Sequence, residues 1–335
     1  MQPQPTSTFT IMTYNILIGG KDGRIHATER VIRELAPDVV GVQEANDPAA
    51  IRALAKRLGM HVVVGYSTGG YHVALLSRWP IRSWVNHGRP IFQKGLIEAM
   101  IDLPGEAQPW HVFVGHLTAD FYKGYGAERQ RAAEIRAIIE CMATARMLGR
   151  PHLLMGDFNA LAPGETFDAS GLLARVIELD RERARTKESL PGQPHLGYII
   201  PPMLHPLLPL VRQIPKSRKL SALFDRAVNW YLPRLAVPHL LRAGYTDCLR
   251  ATHHLRDIPP TCPLPAPAGR IDYLWTDPIL AERLLAAEAV VDGPGLPVNL
   301  ASDHRPVLAQ FTRVPAPLAA TEAPTTEDLM AVSRH

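Results

Sequence analysis

The sequence predicts a mixed α/β fold in which two packed sheets are flanked by helices. Apolar runs of strand length recur along the chain, and amphipathic stretches of helical spacing separate several of them. Between residues 61 and 115, short links containing glycine and proline join the strands, which favours antiparallel hairpins over repeated crossovers. This mixture argues against a doubly wound parallel sheet and indicates the α/β (α+β) class.

The first third of the chain supplies most of the predicted strands. Apolar residues have helical spacing within residues 28–36, and Pro37 ends that helix. Pro48 begins the next helix and Gly59 ends it. The predicted strands of this part are residues 9–14, 38–43, 61–65, 72–77, 97–103 and 110–115.

The rest of the chain is less regular. A long helix is predicted over residues 127–148, and residues 161–244 interrupt the pattern, starting with a charged helical segment at 172–188. We predict one domain over residues 8–313, an insertion within it at 161–244, and a disordered tail at 314–335, rich in Ala, Pro and Thr. The later strands are predicted at residues 152–155, 270–275 and 306–311.

Bulk composition narrows the function classes. A chain of 335 residues with 46% hydrophobic residues can bury a large core. Its net charge of +4 is compatible with an anionic substrate but is too small to indicate a nucleic-acid-binding protein. Cys141, Cys248 and Cys262 form no C-x-x-C pair, so neither a disulfide framework nor a zinc site is expected. We expect a monomeric cytoplasmic protein, without a signal peptide in residues 1–9 or an apolar membrane span.

The most informative segment follows the strand that ends at Met155. Gly156 lets the chain turn closely, and Asp157 and Asn159 then face the same rim. At that rim both side chains can meet a phosphate, a water molecule or a cation. Taken alone, this segment is explained equally well by an Asx-type turn.

Other strand ends carry similar polar groups. Asp272 lies within a predicted strand, where a buried carboxylate needs a partner, and an ion pair with Arg270 is one alternative. Each residue taken alone is best explained as a cap, a turn or a structural histidine, but the joint pattern indicates a shared polar site. The remaining polar groups at strand ends are Asn15, Glu44, His116, Asp303 and His304.

Six short motifs in this order resemble those of the endonuclease/exonuclease/phosphatase superfamily, which includes deoxyribonucleases, abasic-site endonucleases, inositol polyphosphate phosphatases and bacterial sphingomyelinases. The resemblance spans residues 8–312 apart from the insertion. It implies a four-layered α/β sandwich with the site at one edge of the paired sheets, and a metal-dependent hydrolase of phosphoester bonds. The motifs are Thr13-Tyr14-Asn15, Val42-Gln43-Glu44, Gly115-His116-Leu117, Gly156-Asp157-Phe158-Asn159, Arg270-Ile271-Asp272-Tyr273 and Ser302-Asp303-His304-Arg305-Pro306.

The resemblance implies a metal site built from oxygen donors. Glu44 is the expected ligand of a hard divalent cation, and Asn15 and Asp303 complete its shell directly or through water. Mg²⁺ suits an all-oxygen site that keeps some of its waters, and Mn²⁺ can substitute for it.

The resemblance also implies roles for the other polar groups. Asp157, positioned by Asn159, orients and deprotonates the attacking water, and His116 donates to a phosphoryl or leaving-group oxygen. His304 is expected to be held by Asp272, which fixes its tautomer. Whether His304 then acts as a base or as a phosphate clamp stays open at this point.

Two further residues are candidates on weaker grounds. In deoxyribonuclease-like members a glutamate on an earlier strand pairs with the equivalent of His116, and Glu98 is the nearby candidate. Arg78, in a segment that resembles one frequent in the family, is either functional or a structural support for the rim.

The expected function is a phosphodiesterase that uses metal-activated, in-line attack of water. A DNA endonuclease or exonuclease is the alternative within the superfamily, and a non-catalytic binding protein on this fold is the alternative from another class. The substrate is a nucleic acid, a lipid headgroup or a small phosphorylated metabolite. Neither residues 21–24 nor residues 122–123 are basic and aromatic enough to indicate nucleic acid.

The insertion at residues 161–244 has three interpretations. It is a lid whose basic residues meet an anionic substrate, or a peripheral membrane element that uses residues 204–210 and 230–235. The third interpretation is an ordinary subdomain whose Leu and Trp residues fill a small core of their own. The basic residues of the lid interpretation are Arg212, Lys216, Arg218 and Lys219.

Overall fold

A computed structural model describes residues 8–119, 124–187, 194–196 and 202–313 of the chain. The predicted tail at 314–335 lies outside these residues, as do residues 122–123. The strands are β1 (Thr8–Asn15), β2 (Val39–Gln43), β3 (His61–Gly65), β4 (Val73–Ser77), β5 (Ile81–Asn86), β6 (Leu96–Ile101), β7 (Trp110–His116), β8 (His152–Asp157), β9 (Thr246–Asp247), β10 (Asp272–Thr276), β11 (Leu284–Ala289) and β12 (Val307–Thr312).

The helices of the described residues vary widely in length. None of them combines the length and apolar character needed to cross a bilayer. Short 3₁₀ helices also occur at Pro202–Leu207 and Ile214–Lys216. The helices are α1 (Leu17–Gly20), α2 (Arg24–Leu35), α3 (Pro48–Leu58), α4 (Tyr125–Met147), α5 (Ala169–Thr186), α6 (Leu208–Val211), α7 (Arg218–Tyr231), α8 (Pro238–Arg242), α9 (Cys248–Thr252), α10 (Pro278–Ala281) and α11 (Val298–Ala301).

Two mixed six-stranded sheets form the centre of the fold. The first has the strand order β11-β12-β1-β2-β4-β3, and the second has the order β5-β6-β7-β8-β10-β9. Each sheet contains one parallel pair, β1 with β2 and β7 with β8, and the other pairs are antiparallel. The predicted class of two packed mixed sheets is therefore confirmed, and the links between residues 61 and 115 include the expected hairpins.

Side chains alternate between two buried faces along the central strands. On β1, Phe9 and Ile11 pack between the sheets, whereas Met12 and Tyr14 pack against the helices. Helices α2, α3 and α11 contribute to the cluster on the outer face of the first sheet, and α4 and α8 to that of the second. Because both faces of these strands are buried, the sequence shows them as continuous apolar runs. The layers are helices, sheet, sheet and helices.

The predicted ends of α3 are those that the structure shows. Asp47 caps the helix, since its carboxylate accepts from the backbone N–H groups of Ala49 and Ala50 at 3.1 and 3.0 Å. Pro48 is the first residue of the helix, and Gly59 ends it in the left-handed conformation.

The described part of the insertion has a small core, to which Ala266 and Ala268 from outside the insertion also contribute. Phe224, on α7, packs against this core, and Asp225 on the same helix accepts from the backbone N–H and the hydroxyl of Ser170 at 2.7 Å each. Trp230 does not contribute to it, because its side chain is 86% exposed. The third interpretation therefore accounts for part of the insertion but not for Trp230. The buried members are Leu172, Leu173, Val176, Ile177, Leu196, Ala266 and Ala268.

A buried ionic network joins the start of the insertion to the second sheet. Arg270 is 2% exposed and donates to both carboxylate oxygens of Asp247 at 2.9 and 2.6 Å. It also donates to both oxygens of Glu165 at 3.0 and 2.5 Å. The alternative of an ion pair between Arg270 and Asp272 is wrong, since both acceptors of Arg270 lie elsewhere.

We expect Arg270→Ala to lower the free energy of unfolding by about 3–5 kcal/mol, because it leaves two buried carboxylates without their partner. Urea denaturation followed by circular dichroism measures this change. Arg82→Ala is the control, since the Arg82–Asp102 pair is exposed and contributes at most about 1 kcal/mol. Equal losses in the two variants would contradict a stabilising role for the network.

Candidate active site

The predicted site residues lie together at one edge of the paired sheets. The parallel strands β1, β2, β7 and β8 end at this edge. Strands β10 and β12 begin there, because β10 is antiparallel to β8 and β12 is antiparallel to β1. The topology thus brings six segments that are distant in sequence together at one edge. The residues at this edge are Asn15, Glu44, His116, Asp157, Asn159, Asp272, Asp303 and His304.

Asn15 bridges the two sheets. Its Nδ2 lies 3.0 Å from Asp157 Oδ2 on the second sheet and 3.4 Å from Glu44 Oε1 at the end of β2. Its Oδ1 accepts from the backbone N–H of Leu17 at 3.0 Å. Asn15 therefore presents donors to the carboxylates, while its Oδ1 is turned towards the backbone of Leu17.

Asp157 lies among polar groups of several segments. Its Oδ1 accepts from the backbone N–H of Asn159 at 2.9 Å, and its Oδ2 lies 3.3 Å from His116 Nε2 and 3.9 Å from His304 Nε2. Burial alone would raise the pKa of Asp157, but His116 and His304 outweigh burial and hold this pKa below its ordinary value. Asp157 is therefore a carboxylate at neutral pH.

Gly156 brings Asp157 close to the neighbouring strand. A Cβ atom at Gly156 would lie 1.9 Å from the carbonyl oxygen of Gly115, so no other residue fits at this position. In this register His116 pairs with Asp157 across the parallel strands. Gly156 was expected to allow a close turn, but it lies within β8 and allows a close approach of β7 instead.

Asn159 supports Asp157 and does not itself orient the attacking water. Its Nδ2 donates to the carbonyl oxygen of Leu117 at 3.0 Å, and its backbone, with φ of 48°, lies in the left-handed region that asparagine tolerates. This hydrogen bond and the one from the backbone N–H of Asn159 to Asp157 fix the loop that follows β8. In the structure, the positioning effect of Asn159 is exerted on Asp157 itself.

Asp272 holds His304 as the motifs led us to expect. His304 Nδ1 lies 2.9 and 3.1 Å from the two oxygens of Asp272, and Thr261 Oγ1 donates to the same carboxylate at 2.6 Å. Burial alone would lower the pKa of His304, but the Asp272 carboxylate outweighs burial and raises this pKa well above its ordinary value. His304 is therefore an imidazolium whose Nε2 faces Asp157.

Strained backbone surrounds Glu44. Glu44 itself has a φ of 58°, and Leu17 and Ile18 in α1 both have φ of 50°. For a β-branched residue such as Ile18 this is a costly conformation. It brings the backbone N–H of Ile18 to within 2.7 Å of Glu44 Oε2.

Asp303 adds a further carboxylate beside Glu44. Burial raises the pKa of Asp303 to about 6 in spite of the neighbouring His304, and the charge of Glu44 adds to this rise. Such crowding of anionic oxygens is relieved when a cation binds among them. The donor set consists of hard oxygen ligands, so it fits Mg²⁺ or Mn²⁺.

Two tighter groups of metal-binding atoms also occur among the described residues. Within each group the potential ligand atoms lie within 4.8 Å of one another. Both groups include His304, whose Nδ1 is already bonded to Asp272. The family resemblance implies Glu44 and Asp303 as the ligands instead, and the charge of Glu44 acts on Asp303. The two groups are Asp157, Asp272 and His304, and Cys262, Asp303 and His304.

His116 has a partner that the sequence did not suggest. Its Nε2 lies 2.9 Å from Lys94 Nζ, and burial together with Lys94 lowers the pKa of His116. The prediction that Glu98 is the partner of His116 is wrong. The Glu98 carboxylate lies 2.6 Å from His111 Nδ1 and 3.4 Å from His87 Nε2 instead. His116 is therefore a neutral imidazole next to an ammonium group.

Arg78 lies away from the site. Its Nε donates to the carbonyl oxygen of Pro37 at 2.9 Å, next to the start of β2, whereas Glu44 follows the other end of that strand. Arg78 therefore neither takes part in the site nor supports its rim, and both interpretations are wrong.

Three residues of the site were missed in the sequence. Lys94 and Thr261 lie in segments between strands and belong to no motif. Cys262 Sγ lies 3.5 Å from His304 Nε2, and burial raises the pKa of this thiol to about 12, so it is uncharged. These three residues can be recognised as part of the site only from their contacts in the folded protein.

A pocket of about 340 Å³ opens beside the candidate metal ligands. Asp303, Leu17 and Leu264 are among its lining residues. Arg24 also lines it and donates through Nη2 to the carbonyl oxygen of Leu17 at 2.8 Å, but its buried Nε and Nη1 have no partner among the described residues. These two donors suit an anionic group of a bound molecule.

A paired-sheet α/β sandwich with carboxylate, amide and imidazole groups at one edge is the architecture of metal-dependent phosphoesterases. Sequence comparison agrees with this class. A sequence model of the Endonuclease/Exonuclease/phosphatase family matches residues 12–304, and the chain belongs to this family. Its members are hydrolases that act on phosphoester bonds. No curated protein matches the sequence.

Solved structures share the fold at low sequence identity. An AP endonuclease from Archaeoglobus fulgidus has a TM-score of 0.57 and 18% identity, covering 90% of this chain and 99% of its own. A 3′-5′ exonuclease (NExo) from Neisseria meningitidis has a TM-score of 0.54 and 18% identity, covering 91% and 100%. A humanised D. rerio TDP2 has a TM-score of 0.53 and 15% identity, covering 91% and 99%.

We expect Asp272→Asn to lower the pKa of His304, because the charge that favours the imidazolium is removed. Histidine-selective NMR titration measures this pKa, and the loss of one resonance in His304→Gln assigns it. Asp102→Asn, at an exposed ion pair, is the control and should leave the titration unchanged. If the His304 pKa stayed the same in Asp272→Asn, the assigned dyad would be wrong.

Proposed function

We propose that the protein is a divalent-metal-dependent phosphodiesterase in which water attacks phosphorus in line with the leaving oxygen. One observation carries this proposal: the Asp157 carboxylate lies between Asn15 Nδ2 at 3.0 Å, His116 Nε2 at 3.3 Å and His304 Nε2 at 3.9 Å. A base and the donors of Asn15 and His304 thus meet at a single point on the edge, beside the neutral imidazole of His116, which is what attack on a negatively charged phosphoryl group requires.

Asp157 takes the proton of the attacking water. Its low pKa makes it a weak base, so its main effect is to orient the water through a strong hydrogen bond. As the water oxygen bonds to phosphorus, the bond from phosphorus to the leaving oxygen breaks. The proton that the water loses goes to Asp157.

His304 acts as a phosphate clamp. Its raised pKa keeps it protonated, so Nε2 donates to a phosphoryl oxygen and does not accept from water. Asp272 stabilises this charged ring and fixes its orientation from the opposite nitrogen at 2.9 Å. The ammonium of Lys94, beside His116, supplies a further donor for charge that develops on the leaving oxygen.

Glu44 and Asp303 would hold the metal, with Asn15 reaching it through water. When bound, Mg²⁺ screens the charge of the phosphate and makes attack by water easier. Mn²⁺ fits the same oxygen donors.

A DNA nuclease is the second candidate. It is supported by the names of similar structures, among them a 3′ phosphatase NExo bound to a product DNA hairpin, which shares 19% identity. Identity at this level supports a common fold only. The pocket lined by Arg24 and Asp303 is equally suited to a smaller anionic substrate. A non-catalytic role is less well supported, since every predicted site position retains its polar group.

A panel of substrates tests the proposal. It comprises bis-p-nitrophenyl phosphate, p-nitrophenyl phosphate, plasmid DNA, an abasic duplex and sphingomyelin, each with Mg²⁺, with Mn²⁺ or with EDTA. We expect hydrolysis of at least one diester that EDTA abolishes. Turnover of DNA alone would favour the nuclease, and no metal-dependent turnover of any substrate would refute the phosphodiesterase.

We expect Asp157→Asn and His304→Gln each to lower kcat by at least about 100-fold, because each removes a group that stabilises the transition state. Steady-state kinetics on the best substrate of the panel gives the effect, and circular dichroism checks the fold. Asp102→Asn should retain wild-type kcat. A kcat within twofold of wild type in Asp157→Asn would contradict the role of Asp157 in orienting and deprotonating the water.

We expect Glu44→Gln to raise the Mg²⁺ concentration for half-maximal activity by about tenfold or more, since a charged ligand is replaced by a neutral one. Isothermal titration with Mg²⁺ in the absence of substrate provides a second readout. Glu29→Gln, on the surface of α2, is the matched control. Unchanged Mg²⁺ affinity in Glu44→Gln would exclude Glu44 as a ligand.

A further inference from the structure

We propose that the insertion docks onto an anionic lipid surface through the outward side of α7 and the turn before it. We call this the outer face. This inference goes beyond the proposed function and does not depend on it. The outer face is defined by Leu207, Leu210, Leu220, Leu223, Trp230 and Tyr231, together with the basic residues around them.

The inner side of α7 is firmly attached to the protein. Asp225 binds Ser170 at the start of α5, and the Asn229 side chain donates to and accepts from the backbone of Phe167 at 2.8 Å each. Arg234 donates to the carbonyl oxygen of Glu165 at 3.0 Å. The helix therefore has a fixed orientation, and its other side faces solvent.

The outer face is apolar and exposed. Leu210, Leu223 and Trp230 are 67, 63 and 86% exposed, and Leu220 and Tyr231 are exposed as well. The α7 members recur at spacings of three, seven and one, which keeps them on one side of the helix. Large apolar side chains grouped in this way mark an interaction surface.

The charged residues around the outer face indicate that its partner is anionic. Residues 202–235 contain six Lys or Arg residues and one acidic residue. The acidic residue, Asp225, and one of the basic residues, Arg234, make the internal bonds described above. Within residues 202–235, the exposed charged side chains are therefore all basic. The remaining basic residues, all exposed, are Arg212, Lys216, Arg218, Lys219 and Arg226.

This combination favours a lipid surface over nucleic acid. Exposed leucines gain little from stacking against bases, whereas they insert readily among acyl chains. Tryptophan and tyrosine suit the interface between headgroups and acyl chains, and lysine and arginine are attracted to anionic headgroups. An amphipathic helix lying in the plane of the membrane has these features.

A chain of contacts connects the end of the outer face to the segment that follows His116. The Tyr231 hydroxyl, at the end of α7, lies against Gly124. Nearby, Glu128 accepts from the backbone N–H of Leu235 at 2.7 Å and pairs with Arg131, which also donates to the carbonyl oxygen of Thr118, two residues after His116. Docking would therefore bring the catalytic edge close to the membrane.

Vesicle co-sedimentation of the full chain tests the proposal. Vesicles of phosphatidylcholine alone are compared with vesicles that also contain phosphatidylglycerol. We expect binding to the anionic vesicles only, weakened by salt, and a loss of at least about tenfold in Leu223→Ser/Trp230→Ser. Lys219→Glu/Arg226→Glu should lose binding to a similar degree.

Met147→Ser/Leu148→Ser is the matched control, since these residues are also exposed but lie at the far end of α4. It should bind vesicles as the wild type does, and thermal unfolding should show that all variants fold. Unchanged binding in Leu223→Ser/Trp230→Ser, or no binding by the wild type, would overturn the proposal. So would a dimer that dissociates in that variant, or binding to a DNA oligonucleotide in place of vesicles.

Discussion

The hydrogen bonds of Asn15 join the two sheets at the point where the chemistry is expected. Asn15 belongs to the first sheet, and its Nδ2 donates to Asp157 of the second sheet and lies near Glu44. The hydroxyl of Ser302 donates to the carbonyl oxygen of Asn15 at 2.6 Å and accepts from the backbone N–H of His304 at 3.1 Å. The candidate site thus depends on how the sheets are packed, and its groups hold their positions only while the apolar layer between them is intact.

Within that frame, neighbouring charges assign different protonation states to similar groups. His304 is protonated because it faces Asp272, whereas His116 is neutral because it is buried beside Lys94. Asp157 stays ionised while the pKa of Asp303 rises to about 6. Two imidazoles and two carboxylates can therefore take separate parts in one reaction.

The sequence revealed the fold and the predicted site residues because their signals are local. β1, β2, β7 and β8 are buried on both faces and read as apolar runs, and the polar residues come directly after them. β5 and β11 were missed because they are edge strands with mostly exposed residues. Lys94 and the true partners of Glu98 depend on the pairing of β6 with β7, and this register is absent from the local sequence.

The left-handed turn at Leu17 and Ile18 links the metal ligand to the pocket. Glu44 Oε2 accepts from the Ile18 N–H at 2.7 Å, and Leu17 lines the pocket together with Arg24. A cation bound by Glu44 would share that carboxylate oxygen with the amide and would weaken the hydrogen bond of a turn that is costly to maintain. The two sites would then be thermodynamically coupled. A molecule bound in the pocket would change the affinity for the cation, and the cation would change the affinity for that molecule by the same factor.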